Sequence, residues 1–270
     1  MKILFIGDIF GKPGRRVLRE RVKALRAARG IDLVVANGEN AADGFGITPA
    51  LIGEICEAGV DLVTAGDHVW DKRELANALS TETRFLRPVN YPDGVPGRGT
   101  AVMATASGAR VGVVCVQGRV EMAKQTLDDP FRAAEAAVER LRAETPVILV
   151  EIHAEATSEK VAMGWWLDGR ASAVVGSHTH VQTADARILP QGTAYLTDAG
   201  MTGPADGVIG LDRDRVLDRF RTQMAPNWAV ATGRTQLCAA LVEVDPASGR
   251  ATAIERVFET FDAIPEATTA

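Results

Sequence analysis

Short apolar runs rich in β-branched residues alternate along the chain with amphipathic stretches. The run Ile3–Ile6 has the length and composition of a buried strand. Arg15–Ala28 repeats its apolar residues at helical spacing, and Gly30 is placed to end that helix. Thr48 and Pro49 are typical of an N-cap and a first helical turn, so they predict a second helix. The pattern predicts an α/β protein.

The same alternation continues through the middle of the chain. Further strands are predicted at Ile31–Ala36, Asp61–Thr64, Thr100–Thr105, Arg110–Val116, Pro146–Ile152, Ala171–Val175 and Thr193–Thr197. Further helices are predicted at Asp71–Leu79, Phe131–Ala143, Ser158–Leu167 and Asp212–Arg221. Because such strand–helix–strand units join parallel strands by right-handed crossovers, a largely parallel sheet is expected.

The C-terminal part follows a different pattern. Gln236–Val244 and Ala251–Phe258 are strand-like, and Pro246–Gly249 between them is typical of a tight turn, so an antiparallel hairpin is predicted. Asn90–Gly99, rich in proline and glycine, is predicted to be a loop. Parallel units and a hairpin together predict mixed sheets flanked by helices, in a single domain over residues 1–270.

Composition narrows the class of protein. The 270 residues are 46% hydrophobic and 24% charged, which is ordinary for a globular protein, and the net charge of −5 argues against an extended nucleic-acid-binding face. No apolar stretch approaches the roughly 18 residues of a membrane span. Cys56, Cys115 and Cys238 lie far apart in apolar stretches, as buried reduced thiols do, which favours a cytoplasmic protein.

Polar residues with metal-binding side chains follow the predicted strands. They are Asp8, Glu39 with Asn40, Asp67 with His68, His153, and His178 with His180. All four histidines of the chain are in this set. A single histidine at a strand end usually packs or caps, but carboxyl ends of strands are where α/β proteins gather ligands. The complete set therefore predicts one shared site.

Carboxylates and imidazoles are ligands that suit divalent manganese, iron or zinc. Two such ions roughly 3.5–4 Å apart can clamp a phosphoryl group during its transfer to water. Helix N-capping is an equally good interpretation of Asp8 or Asp67 taken alone. A phosphate-binding loop at Gly7–Lys12 is disfavoured because Pro13 stands where serine or threonine is required. The sequence therefore favours a two-metal phosphoesterase.

Several blocks of residues resemble a known superfamily. They are Gly7-Asp8, Gly38-Glu39-Asn40, Gly66-Asp67-His68, His153 and Gly176-Ser177-His178-Thr179-His180, which follow in order the motifs of the calcineurin-like metallophosphoesterases. The longer blocks Ile6–Arg15, Asn37–Ala42, His178–Asp185 and Thr197–Pro204 are similar to the bacterial YmdB-like branch. The similarity extends over nearly the whole chain.

The resemblance implies a four-layer α/β/β/α sandwich and hydrolysis of 2′,3′-cyclic nucleotides at the 2′ position. It implies two divalent or mixed-valence metal ions, with iron favoured and manganese or zinc as alternatives. Carried over by position, one ion is held by Asp8, Glu39, Asn40 and His180, and the other by Glu39, Asp67, His153 and His178, with Glu39 bridging. His68 is expected to protonate the leaving oxygen. Backbone N–H groups of Gly11 and Gly14 are further candidates for binding an anion.

One residue departs from the family pattern. Asp67 stands where the family usually carries asparagine, and its extra negative charge is expected to weaken phosphate binding and strengthen metal retention. Two other functions stay open on the sequence. One is a broader phosphodiesterase, nuclease or phosphatase, and the other is a non-catalytic nucleotide- or RNA-binding regulator with a residual metal site. A small phosphoester is the expected partner, and an apolar edge would allow a homo-oligomer.

Overall fold

The computed structural model describes residues 1–122 and 124–262 of the chain. The helices are α1 (Gly11–Arg29), α2 (Pro49–Glu57), α3 (Arg73–Ala78), α4 (Pro130–Arg142), α5 (Thr157–Trp166) and α6 (Arg213–Thr222). The strands are β1 (Lys2–Ile6), β2 (Asp8–Ile9), β3 (Leu33–Asn37), β4 (Leu62–Thr64), β5 (Phe85–Leu86), β6 (Thr100–Ala104), β7 (Arg110–Gln117), β8 (Ile148–His153), β9 (Ala173–Ser177), β10 (Arg187–Ile188), β11 (Ala194–Leu196), β12 (Met201–Pro204), β13 (Thr235–Val244) and β14 (Ala251–Phe261).

Two mixed sheets are formed from these strands. The first has the order β2-β12-β13-β1-β3-β4-β5, with β14 also paired to β13. Its β1, β3, β4 and β5 are parallel neighbours, whereas β13 runs antiparallel to β1 and to β14. The second has the order β10-β11-β9-β8-β7-β6, with a parallel centre and antiparallel edges. The predicted mixed sheets and C-terminal hairpin are confirmed.

Alternation of side chains along the central strands separates three apolar cores. In β1, Leu4 and Ile6 pack with residues of α1 and α2, while Ile3 and Phe5 on the other face pack with β7, β8 and β9 of the second sheet. The opposite face of that second sheet, including Val114, packs with α4 and α5. Helices, sheet, sheet and helices therefore stack in this order, and the predicted four-layer sandwich is confirmed.

Most predicted elements are present, with differences at their ends. Helix α1 begins at Gly11 rather than Arg15, because Pro13 fits the first turn of a helix. Gly30 ends this helix with φ +62°, and the Thr48 side chain accepts a hydrogen bond from Leu51 N of α2, as predicted. The short strands β2, β5, β10 and β12 were not predicted, because two to four residues carry too little alternation.

The prediction of buried thiols is confirmed for two of the three cysteines. Cys115 and Cys238 are buried, Cys56 is half-buried, and all three are free thiols. Within residues 1–122 and 124–262, no helix is both long and apolar enough to cross a membrane.

Candidate metal centre

The ends of strands from both sheets meet at one cleft. The predicted site residues Asp8, Glu39, Asn40, Asp67, His68, His153, His178 and His180 all lie around it. Asp8 begins β2, His153 ends β8, and the remaining residues lie in the loops that follow β3, β4 and β9. Neither aspartate caps a helix, since Phe10 is the N-cap of α1 and Lys72 that of α3.

Four of these side chains form a compact group of donor atoms. One ligand atom from each of Glu39, Asp67, His153 and His178 lies within 4.8 Å of all the others. His153 Nε2 lies 3.0 Å from Glu39 Oε1 and 3.2 Å from Asp67 Oδ1. His178 Nδ1 lies 3.0 Å from His153 Nε2. Two imidazoles and two carboxylates that converge in this way are a ligand set for a divalent cation.

A second group lies on the other side of Glu39. His180 Nε2 lies 3.1 Å from the Asn40 amide and 3.8 Å from Asp8 Oδ1. The Asn40 amide lies 3.4 Å from Glu39 Oε1, so Glu39 contacts members of both groups. This arrangement gives Glu39 the central place expected of a bridging carboxylate.

Asp8 supplies a direct test of whether a cation fits this second group. Its side chain is fully buried, and its Oδ1 has no hydrogen-bond partner among the described residues. Its Oδ2 accepts a hydrogen bond from His178 N at 3.2 Å. A buried carboxylate oxygen without a donor is costly unless a cation balances it. The residues present therefore fit a metal ion.

Hydrogen bonds outside the two groups orient the imidazoles. His153 Nδ1 lies 2.9 Å from Ser177 Oγ, which donates to Glu151 Oε1 at 2.7 Å. His180 Nδ1 lies 3.0 Å from the Ile209 carbonyl oxygen, to which it donates. Because each Nδ1 is used outside the site, the Nε2 atoms of these two rings are left free to face a cation. His178 is reversed and directs Nδ1 inward, with Nε2 3.1 Å from Glu155.

The turn that carries His178 and His180 has an unusual backbone. Their φ angles are +92° and +65°, in the left-handed region that non-glycine residues rarely adopt. Asp198 Oδ2 supports the turn by accepting from Thr179 N at 3.1 Å and from Thr179 Oγ1 at 2.6 Å. Lys160, fully buried, donates to Asp198 Oδ2 at 2.8 Å. The turn is thereby fixed from beneath by a buried ion pair.

Comparison with known proteins identifies the family. The family model described as YmdB-like protein matches residues 4–257. The chain belongs to the YmdB-like family.

Relatives of this YmdB-like chain match it over almost its full length. A 2′,3′-cyclic-nucleotide 2′-phosphodiesterase of Bacillus subtilis (strain 168) is 45% identical over 257 residues, which cover 95% of this chain and 96% of that protein. A protein of Thermus thermophilus has a similar crystal structure, with a TM-score of 0.87 and 42% identity over 98% of this chain and 100% of that one. A Mycoplasma pneumoniae protein described as a novel phosphatase has a TM-score of 0.90 and 30% identity over 98% and 95% of the two chains.

The electrostatics of the YmdB-like site follow from burial and from close opposite charges. Burial opposes the charged form of His153, but the neighbouring Glu39 and Asp67 raise its pKa well above the usual value. The pKa of Asp67 is lowered, since the hydrogen bond and charge of His153 outweigh burial. Burial and the nearby His153 together lower the pKa of His178 to about 4.

His68 is placed differently from the histidines of the two groups. Its backbone N–H donates to Glu39 Oε2 at 3.3 Å, and its Nδ1 lies 2.6 Å from Asp71 Oδ2. Asp71, three residues further along the sequence, thus orients the ring. The Lys124 amine lies 2.5 Å from His68 Nδ1 and 3.5 Å from Asp67 Oδ2. Phe45 contacts the ring edge-on, with centroids 5.4 Å apart.

Several of these contacts were missed from the sequence. Glu151 carried a usable signal, because it is a carboxylate inside an otherwise apolar strand. Lys124 and Lys160 carried none, since lysines in a loop and a short helix are usually solvated. The expectation that Gly11 and Gly14 bind an anion was wrong, because their N–H groups donate to the backbone carbonyls of Asn40 and Phe10.

Proposed function

We propose that this protein hydrolyses nucleoside 2′,3′-cyclic phosphates at the 2′ oxygen, with two divalent metal ions. The convergence of two ligand groups on Glu39, beside a histidine that is not itself in either group, carries the proposal. The Bacillus subtilis relative, named for this activity, supports the choice of substrate. Bound ions would stabilise the negative charge of the phosphate, and they would lower the pKa of a bound water molecule to about 7.

The ligand roles follow the two groups. We assign Asp8, Asn40 and His180 to one ion, and Asp67, His153 and His178 to the other. Glu39 lies between the groups and is assigned to both. Iron is our first choice of metal, and manganese and zinc suit the same donor atoms. Elemental analysis of freshly purified protein tests this choice.

His68 is the proposed proton donor. The Asp71 carboxylate lies 2.6 Å from its Nδ1 and orients the ring. The Nε2 proton is then available to the departing 2′ oxygen of the ribose, which leaves the phosphate on the 3′ oxygen. General acid catalysis of this kind contributes roughly 10²–10⁴-fold to a rate. His68 touches the reacting atoms in this scheme, whereas Asp71 positions it.

The decisive experiment compares 2′,3′-cyclic AMP with a linear dinucleotide and a phosphate monoester. We expect turnover of the cyclic substrate to 3′-AMP, identified by chromatography. Glu39→Gln should lose metal and activity together, because both ligand groups depend on its charge. Glu57→Gln, an exposed acid on α2, is the matched control and should retain both.

Other outcomes separate the competing functions. Preferential cleavage of the dinucleotide or the monoester would favour a broader nuclease or phosphatase. Bound metal and nucleotide without any turnover would favour a regulator. Full activity in Glu39→Gln would contradict the bridging role.

A further inference from the structure

A cavity of about 280 Å³ opens over the metal centre, and its lining is partly polar and partly apolar. The polar lining includes the site residues Glu39, Asn40, His68, His178 and His180. The apolar lining consists of Phe10, Phe45, Ile209 and Leu211, which we call the apolar wall. Catalysis at phosphorus requires none of these apolar side chains. We therefore expect the apolar wall to contact a part of the substrate other than its phosphate.

We propose that the apolar wall is the nucleobase subsite, with Phe45 and Ile209 as its two contact residues. This inference rests on the proposed function, since it takes the cyclic phosphate to lie at the metal centre. A nucleoside cyclic phosphate joins its charged ring to a flat, largely apolar base through one ribose. The cavity likewise combines charged and apolar residues in its lining.

Ile209 is the stronger observation. It has φ +45°, which is strained for a β-branched residue, and the residue is 51% exposed. The conformation is held by a closed turn, in which Val208 and Leu211 exchange backbone hydrogen bonds of 2.9 and 3.0 Å. It is also tied to the metal centre, because the Ile209 carbonyl accepts from His180 Nδ1. Strain of this kind persists where the surroundings impose it, and it clusters at ligand clamps.

Phe45 is held in a comparable way on a separate loop. It lies between Gly44 and Gly46, whose φ angles of +93° and +79° suit glycine, and the loop is closed by a 2.9 Å hydrogen bond from Ala42 N to Gly46 O. The ring is half-buried and contacts His68, the proposed proton donor. A base on this ring would lie on the same side of the site as the leaving oxygen.

The apolar wall also predicts which nucleobases the protein prefers. Stacking tolerates any base because every base has a π-face, and an aromatic contact changes affinity by about 5- to 100-fold. Glu155, a charged residue of the cavity lining outside the two ligand groups, is already paired with His178 Nε2 at 3.1 Å. We therefore expect purines to be favoured over pyrimidines by their larger area, with little discrimination between adenine and guanine.

The test uses two substrates that share the reacting ring. One is 2′,3′-cyclic AMP, and the other is the 2′,3′-cyclic phosphate of methyl β-riboside, which has no base. Phe45→Ala and Ile209→Ala should each lower kcat/KM for cyclic AMP by about 5- to 100-fold. For the base-free substrate the loss should be at least about fivefold smaller than for cyclic AMP, and Phe45→Trp should restore the preference for cyclic AMP.

Phe220→Ala is the matched control, because Phe220 is a 71% exposed aromatic residue of α6 outside the cavity. Equal losses on both substrates would mean that the variants only disturb the site, and they would overturn the subsite alone. If the wild type had equal kcat/KM values for both substrates, that result would also overturn the subsite alone. Failure of the wild type to hydrolyse either cyclic phosphate would instead overturn the proposed function, and the subsite with it.

Discussion

Replacing Lys160 with methionine tests how the turn bearing His178 and His180 is held. The Lys160 amine is fully buried and donates to Ser177 O at 3.1 Å, Thr179 Oγ1 at 3.2 Å and Asp198 Oδ2 at 2.8 Å. Each of the three N–H groups of the Lys160 amine therefore has a hydrogen-bond acceptor. Methionine keeps the length and the apolar stem of lysine but leaves the Asp198 carboxylate without its cation.

The size of the effect follows from burial of both partners. Removing one member of a buried ion pair costs about 3–5 kcal/mol, because the other charge stays buried and unpaired. Methionine fills nearly the same volume, so little cavity cost is added. For a chain of this length, about 2–4 °C are lost per kcal/mol, so Tm should fall by about 6–20 °C. Lys160→Met with Asp198→Asn should be less destabilised than Lys160→Met alone, since no buried charge is stranded.

Two measurements on the same samples separate the loss of stability from the loss of bound metal. Thermal and urea unfolding of metal-free protein give the loss of stability, and elemental analysis of folded protein gives the retained metal, which should fall as the turn loosens. Lys23→Met replaces an exposed lysine of α1 and should change neither. An unchanged Tm in Lys160→Met, or a double variant less stable than the single one, would refute the reasoning.

Three further variants test charges around the site. Asp67→Asn, which installs the usual family residue, should raise turnover or loosen metal; identical kinetics and metal content would contradict this. Burial raises the pKa of Glu151 from 4.5 to about 7, so its contribution to stability is present below pH 4.5 and lost as pH rises to 7. In metal-free protein, urea titrations should therefore show Glu151→Gln gaining about 3 kcal/mol over wild type between these pH values, and a constant difference would refute it. Lys124→Gln removes an exposed cation beside His68, and steady-state kinetics should show KM rising about fivefold; an unchanged KM would count against this role.

Much of this protein was determined by its sequence alone. The apolar alternation of Ile3–Ile6 and the capping residues Thr48 and Gly30 act over a few neighbouring positions, so they predicted β1, α1 and α2 correctly. The histidines and carboxylates were found because carboxyl ends of strands gather at one edge of a sheet. Four-layer stacking and the ligand sets came from resemblance, and the cores confirm the stacking.

Other features were decided only by tertiary structure. Strand β2 exists because Asp8 and Ile9 pair with Met201 and Thr202, far along the chain. Lys160 looks solvated in its own helix and becomes a buried partner only when β9 and the loop after β11 close over it. These contacts join residues distant in sequence, and burial gives each charge its partner and its energetic weight. No local pattern encodes such a pairing, because the free energy of a charge depends on what surrounds it after the chain has folded.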